Sequence, residues 1–332
     1  MAKKINLEDL IQMLENPNID DHDLKPYLKT ENSTEYGQSG AGKNMYPVLI
    51  PNEYVEGELV EGQGTQAKLG LGFLNTIYRK RRLNRFRSEV ANNVGKPILL
   101  AEGDSWFEYP VWLTDIIDYL SDNYSIYCLS AAGDELQGMV AEPEYKKHLD
   151  KLINKQGLEV QGILLSGGGN DIVGETLYDM LHNNRSDSAT ESLINKAAFK
   201  RKFQDIHGYY TEAIEFISET YPEIPIFIHG YDHANPLPDQ GFSIPPRDGW
   251  LGKWMRKRGI HDENTQQEIV RILIDDFCSS QNQLATSHDM VTFIDCRGLV
   301  GDQWFDELHP NDKGFDIVAR KFHSTLLEAG IG

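Results

Sequence analysis

The chain has 332 residues, 40% of them hydrophobic and 25% charged, which is longer than one ordinary domain, short for two large ones, and enough to bury a sizeable core. Its formal net charge of −19 is uneven: residues 1–95 hold 12 Lys and Arg against 13 Asp and Glu, leaving 20 against 38 in residues 96–332. A surface of that sign repels phosphate backbones and anionic bilayers and argues against nucleic acid as a partner, and no stretch approaches the roughly 18 apolar residues that a membrane span needs.

The first nine residues, Met1 to Asp9, lack the unbroken apolar core of a signal peptide. A short helix is expected at about Leu7–Glu15, followed by polar, glycine-containing sequence to about Gly70. Within it, Gly37-Gln-Ser-Gly-Ala-Gly-Lys43-Asn44 is one residue from a nucleotide-binding P-loop. Asn44 stands where a hydroxyl should ligate Mg²⁺, and no apolar strand precedes the glycines, so the phosphate cradle is not expected to form. Next comes a basic run, Tyr78 to Arg87, with Leu74, Ile77, Leu83 and Phe86 at helical spacing. It reads either as a charged helical face packing on the acidic part of the chain or as a helix for a partner or lipid surface. Residues 1–95 are therefore taken as an N-terminal extension and 96–332 as the main domain.

From Pro97 the pattern changes. Apolar runs of four to six residues recur at Ile98–Ala101, Ser125–Leu129, Gly162–Leu165, Ile224–Ile228 and Val291–Ile294. Amphipathic stretches lie between them, among others Trp112–Leu120, Tyr145–Ile153, Phe203–Thr220 and Gln267–Leu284. Strands apolar on both faces, alternating with helices, predict a five-stranded, mainly parallel sheet in a three-layer α/β/α sandwich. In such sheets ligands bind beyond the carboxyl ends of the strands. The three cysteines, Cys128, Cys278 and Cys296, form no CxxC pair and two sit in apolar runs, as free thiols do in a reducing compartment. Cytoplasmic residence is the expectation, with export by a route lacking a cleaved signal left open.

The first strand runs into Glu102-Gly-Asp-Ser105-Trp-Phe, which can place a serine hydroxyl at the rim of the sheet. Serine needs a base before it is nucleophilic, and a serine here could equally cap the next helix. After the last strand, Asp306-Glu-Leu-His309 puts a carboxylate three residues before an imidazole, a spacing that can orient the ring or merely cap a turn. The second and third strands are followed by Ser130-Ala-Ala-Gly133 and by Ser166-Gly-Gly-Gly-Asn170-Asp171. Backbone N–H groups of Ser105 and Gly133 and the Asn170 amide are candidate donors to an oxyanion; the same segments could be plain turns.

These four segments, in this order, resemble the sequence blocks of the SGNH (GDSL-like) hydrolases. Gly-Asp-Ser105 is similar to the first block, with Trp106 where leucine is common. Gly133 matches the second, Gly168-Gly-Asn170-Asp171 the third, and Asp306-Glu-Leu-His309 the last. The resemblance spans about Pro97 to the C-terminus. It implies an SGNH or flavodoxin-like fold with Ser105 as nucleophile, His309 as base, Asp306 as its orienting acid, and Gly133 and Asn170 as oxyanion donors. It also implies hydrolysis of carboxylic esters, esterase, lipase or deacetylase in type, through an acyl-enzyme that requires no metal or organic cofactor. The partner is then a small-molecule or acyl ester. A catalytically silent scaffold acting through residues 1–95 is the alternative.

The fourth strand leads into His229-Gly-Tyr-Asp232-His233, which lacks the helical spacing of a zinc site. A proline- and aromatic-rich stretch follows, with Pro236, Pro238, Phe242, Pro245, Pro246, Trp250, Leu251 and Trp254. A connection of that length suggests a lid or a wall of the substrate pocket, or else an excursion packed on the flank of the sheet. Trp106, Tyr231, Asp232, Trp250 and Trp304 are the pocket candidates.

Overall fold

The computed structural model describes residues 3–19, 21–31, 48–56, 71–184, 189–236 and 249–332. The P-loop-like segment Gly37–Asn44 and residues 237–248 of the proline- and aromatic-rich stretch lie outside the described residues.

At the N-terminus, α1 (Leu7–Glu15) coincides with the expected helix, its start fixed by a reciprocal cap between Asn6 and Asp9. Two small strand pairs were not anticipated: Ile5–Asn6 beside Val55–Glu56, and Leu28–Glu31 antiparallel to Val48–Pro51. The first pair is only two residues long, and Leu28–Glu31 carries three polar residues, so neither presents the continuous apolar run that marks a strand of the main sheet. The basic run lies within α2 (Leu71–Ala91). Its first turns bury Leu74, Ile77 and Tyr78 against Leu7, Leu10, Leu14 and Leu24, while Phe86 joins the main core.

The main sheet comprises β1 (Ile98–Glu102), β2 (Ser125–Cys128), β3 (Val160–Leu165), β4 (Ile226–His229) and β5 (Val291–Ile294), in the order β2-β1-β3-β4-β5 and parallel throughout. Between β3 and β4 runs α3 (Lys196–Thr220), between β4 and β5 runs α4 (Glu263–Ser287), and α5 (Asp312–Glu328) closes the chain. The expected sandwich is thus present. Helix starts follow side-chain caps rather than the apolar pattern: Asn195 and Asp262 extend α3 and α4 ahead of their periodic residues. The stretch from Trp112 becomes helical only at Ile116, after Asp115 accepts from the Ile117 and Asp118 N–H groups.

The chain reverses its direction of travel across the sheet between β1 and β3. Loops leaving the carboxyl ends of two such neighbouring strands diverge and leave a crevice. The segment after β1 carries Ser105 and the segment after β3 carries Asn170, so both flank that crevice.

Candidate active site

Where β1 ends, the chain must turn sharply beside the segment after β3. A Cβ on Gly103 would lie 2.6 Å from the Ser166 Cβ, so only glycine fits there. The next residue holds the turn. The Asp104 carboxylate accepts from the Trp106 N–H at 3.0 Å and is 2.9 Å from Ser166 Oγ, and the Tyr231 hydroxyl donates to its other oxygen. Ser166 Oγ also lies 2.8 Å from His229 Nε2. This buried network fixes the backbone on either side of Ser105. Burial pushes the His229 imidazole below its ordinary range, only partly offset by the nearby Asp104 charge, and burial pushes the Tyr231 phenol well up, so it remains a donor.

Ser105 is itself buried, and its Oγ lies 2.7 Å from His309 Nε2 across 204 residues of sequence. The partner ring is set by its own loop. His309 Nδ1 is 2.8 and 2.9 Å from the two Asp306 oxygens, and Asp306 Oδ1 also accepts from the Leu308 and His309 N–H groups at 2.8 Å. With Nδ1 donating to the carboxylate, Nε2 is left to accept the serine proton. Tyr109 and Trp250 pack edge-on against the imidazole at 4.6 and 5.7 Å between ring centroids. The Trp106 indole donates to the Leu308 carbonyl at 3.1 Å, tying the two halves of the site together. Ser105, His309 and Asp306 therefore form a continuous hydrogen-bonded Ser-His-Asp arrangement.

Gly133 has φ +88°, a conformation that favours glycine. Among the described residues, neither the Ser105 N–H nor the Gly133 N–H has a hydrogen-bond partner within the protein. Asn170 gives one amide hydrogen to the Asp134 carbonyl at 2.9 Å, leaving its second available. Asp134, beside Gly133, has its carboxyl pushed up to about 6 by burial, against the pull of Arg79.

Next to Ser105 and His309 opens a cavity whose wall is mostly apolar: Ile172 and Val173 after β3, Leu251, and Val270, Leu273 and Ile274 on α4. Trp106, Tyr231, Asp232 and Asn170 also line it. Asp232 is at the same time a structural anchor, accepting from the Gly298 and Val300 N–H groups at 2.6 and 2.7 Å. Trp250 meets His309 rather than the cavity, and the Trp304 indole donates to the Gly301 carbonyl, away from the lining. His233 pairs with Asp275, so the histidine that ends β4 and the one four residues on face different partners.

Two features had no sequence forecast. One is the Asp104–Ser166–His229–Tyr231 network, whose only hint is polar residues clustered at three strand ends. The other is Glu307, inside the Asp306–His309 loop, whose carboxylate accepts from the Trp250, Leu251 and Gly252 N–H groups, the last two at 2.8 and 2.9 Å.

No protein-family model matches the chain, and no curated protein matches it in sequence. Among solved structures it is similar to the lipase Lip_vut3 from a goat rumen metagenome, at 16% identity and TM-score 0.43, over 71% of this chain and 99% of that one. An extracellular lipase from Streptomyces rimosus is similar at 12% identity and TM-score 0.44, over 69% and 99%. Phospholipase A1 from Streptomyces albidoflavus NA297 is similar at 12% identity and TM-score 0.43, over the same shares.

Proposed function

We propose that this protein is a serine hydrolase that cleaves carboxylic esters through an acyl-enzyme at Ser105. The observation that carries the reading is the unbroken chain Ser105 Oγ, His309 Nε2, His309 Nδ1, Asp306, with contacts of 2.7 to 2.9 Å. A serine and an imidazole meet readily on protein surfaces, but both are buried here, and the ring nitrogen facing the hydroxyl is the one left free to accept its proton.

His309 Nε2 takes the Ser105 proton as Oγ attacks the ester carbonyl. Asp306 stabilises the imidazolium, and the Ser105 and Gly133 N–H groups, which have no partner among the described residues, are with the Asn170 amide the candidate donors to the oxyanion. Collapse breaks the bond to the alcohol, which leaves with the proton from His309. Water then loses a proton to the same nitrogen, attacks the acyl carbon and regenerates Ser105. Every proton moves on these side chains, so no metal or organic cofactor enters the reaction.

The apolar wall beside Ser105 supports an aliphatic acyl group as the moiety bound. No helix among the described residues is long and apolar enough to cross a membrane, and the three buried free thiols support residence in a reducing compartment. The test is hydrolysis of p-nitrophenyl esters from acetate to palmitate by the wild type and by Ser105→Ala. The expected result is turnover with a chain-length optimum, lost at least 10³-fold in the variant with its thermal unfolding unchanged. Retained turnover in Ser105→Ala, or no labelling of Ser105 by a fluorophosphonate, overturns the reading.

A further inference from the structure

We propose that Asn75, on α2 of the N-terminal extension, is a positioning residue that aims the Gly133 N–H at the oxyanion; the proposal rests on the ester-hydrolase reading above. The Asn75 side-chain amide donates to the Ala132 carbonyl at 3.0 Å, reaching across 57 residues of sequence. That carbonyl and the Gly133 N–H belong to one planar trans peptide, in which the C=O and N–H point in opposite directions. A donor fixed on the oxygen therefore fixes the direction of the N–H on the far side. It also polarises the peptide, which strengthens the N–H as a donor.

The rest of the loop is consistent with this single constraint. Its neighbours are held from other directions, Ala131 N–H by the Gly103 carbonyl at 3.0 Å and Asp134 N–H by the Ala131 carbonyl at 3.2 Å. The Gly133 peptide has only the Asn75 contact on its carbonyl side and no internal partner on its N–H side among the described residues. One turn further along α2, Arg79 donates to the Leu129 carbonyl at the start of the same loop and pairs with Glu144 at 2.5 Å, which sets the helix against it. Asn75 makes its bond at a cost: its Oδ1 is buried without a partner among the described residues. An apolar side chain there would avoid that cost but could not donate to the Ala132 carbonyl.

The experiment compares full-length wild type, Asn75→Ala, Asn75→Asp and Ser105→Ala on the best p-nitrophenyl ester, with inhibition by an alkyl trifluoromethyl ketone of matching chain length. The ketone adduct carries the oxyanion, whereas KM for the ester reports its ground-state binding and the steps around it. Direct loss of an oxyanion donor costs about 10²–10³-fold in kcat, so an indirect loss through Asn75→Ala is expected to lower kcat about 10- to 100-fold. KM should change less than about threefold, and the ketone inhibition constant should rise by the same factor as kcat falls. Asn75→Asp, isosteric but unable to donate once ionised, should lose at least as much. If either variant keeps kcat within about twofold of wild type while Ser105→Ala is inactive, or if the loss lies in KM with ketone affinity intact, Asn75 only docks the helix. Absence of turnover and of fluorophosphonate labelling in the wild type removes the ester-hydrolase reading and this proposal with it.

Discussion

The Asp306 carboxylate does two jobs that a carboxamide separates. One oxygen accepts the backbone N–H groups of Leu308 and His309 as well as sharing the His309 Nδ1 proton. In Asp306→Asn the amide oxygen can still satisfy the backbone, which turns the NH₂ toward the ring and forces the wrong tautomer on Nε2. The expected outcome is a fall in kcat of about 10³–10⁴-fold with little change in unfolding temperature. Asp134 offers a contrasting prediction from charge. Its folded-state carboxyl is pushed up to about 6 by burial, above the ordinary aspartate value. The native state then holds a proton that the unfolded chain releases, so this group costs stability progressively as pH rises toward 6 and in full above it. Asp134→Asn should therefore raise the unfolding temperature more at pH 8 than at pH 5. A scan of both proteins across that range checks the sign.

At the scale of elements, the basic helix α2 packs its charged face on the acidic part of the chain, the first of its two readings. Arg82 is buried and pairs with Glu108, Asp115 and Asp118 at 3.0, 2.6 and 3.1 Å, and it also donates to the Phe107 carbonyl two residues past Ser105. Arg85 reaches the Ser121 carbonyl and Lys80 pairs with Glu15. The run of cations is a set of cross-links, and a partner or lipid surface is not needed to explain it. Removing one member strands buried carboxylates, so Arg82→Leu should destabilise the protein by about 3–5 kcal/mol in urea unfolding. The same elements show what was legible beforehand. The β-strands could be read because burial on both faces leaves continuous apolar runs, and α1 because its cap is local. Arg82 could not, since nothing in its neighbours' sequence separates an arginine facing three carboxylates from one facing water. Ser105, His309, Asp306, Gly133 and Asn170 could be proposed because their segments follow strand ends in the order of the SGNH blocks they resemble. Trp304 carried no comparable constraint, and its indole turns to the Gly301 carbonyl.

Over the whole molecule, strand order was not readable from the runs themselves; it emerges from how the helical crossovers pack, and it alone puts the β1 and β3 ends side by side. That placement leaves α4 to form one side of the cavity, with Leu273 facing it. Filling that space with Leu273→Phe should shift the ester preference toward shorter acyl chains, reducing palmitate hydrolysis at least about tenfold relative to acetate. A profile across chain lengths checks it.

The grip of Glu307 on residues 250–252 bears on how such a protein can change over generations. Its three bonds go to backbone N–H groups, indifferent to which side chains those residues carry. Gly249 is committed, because a Cβ there would lie 2.5 Å from the Glu307 carboxylate. Leu251 can therefore be exchanged while the strap to the histidine loop stays fastened. Drift at that position can explore new substrates without the lineage passing through an inactive ancestor.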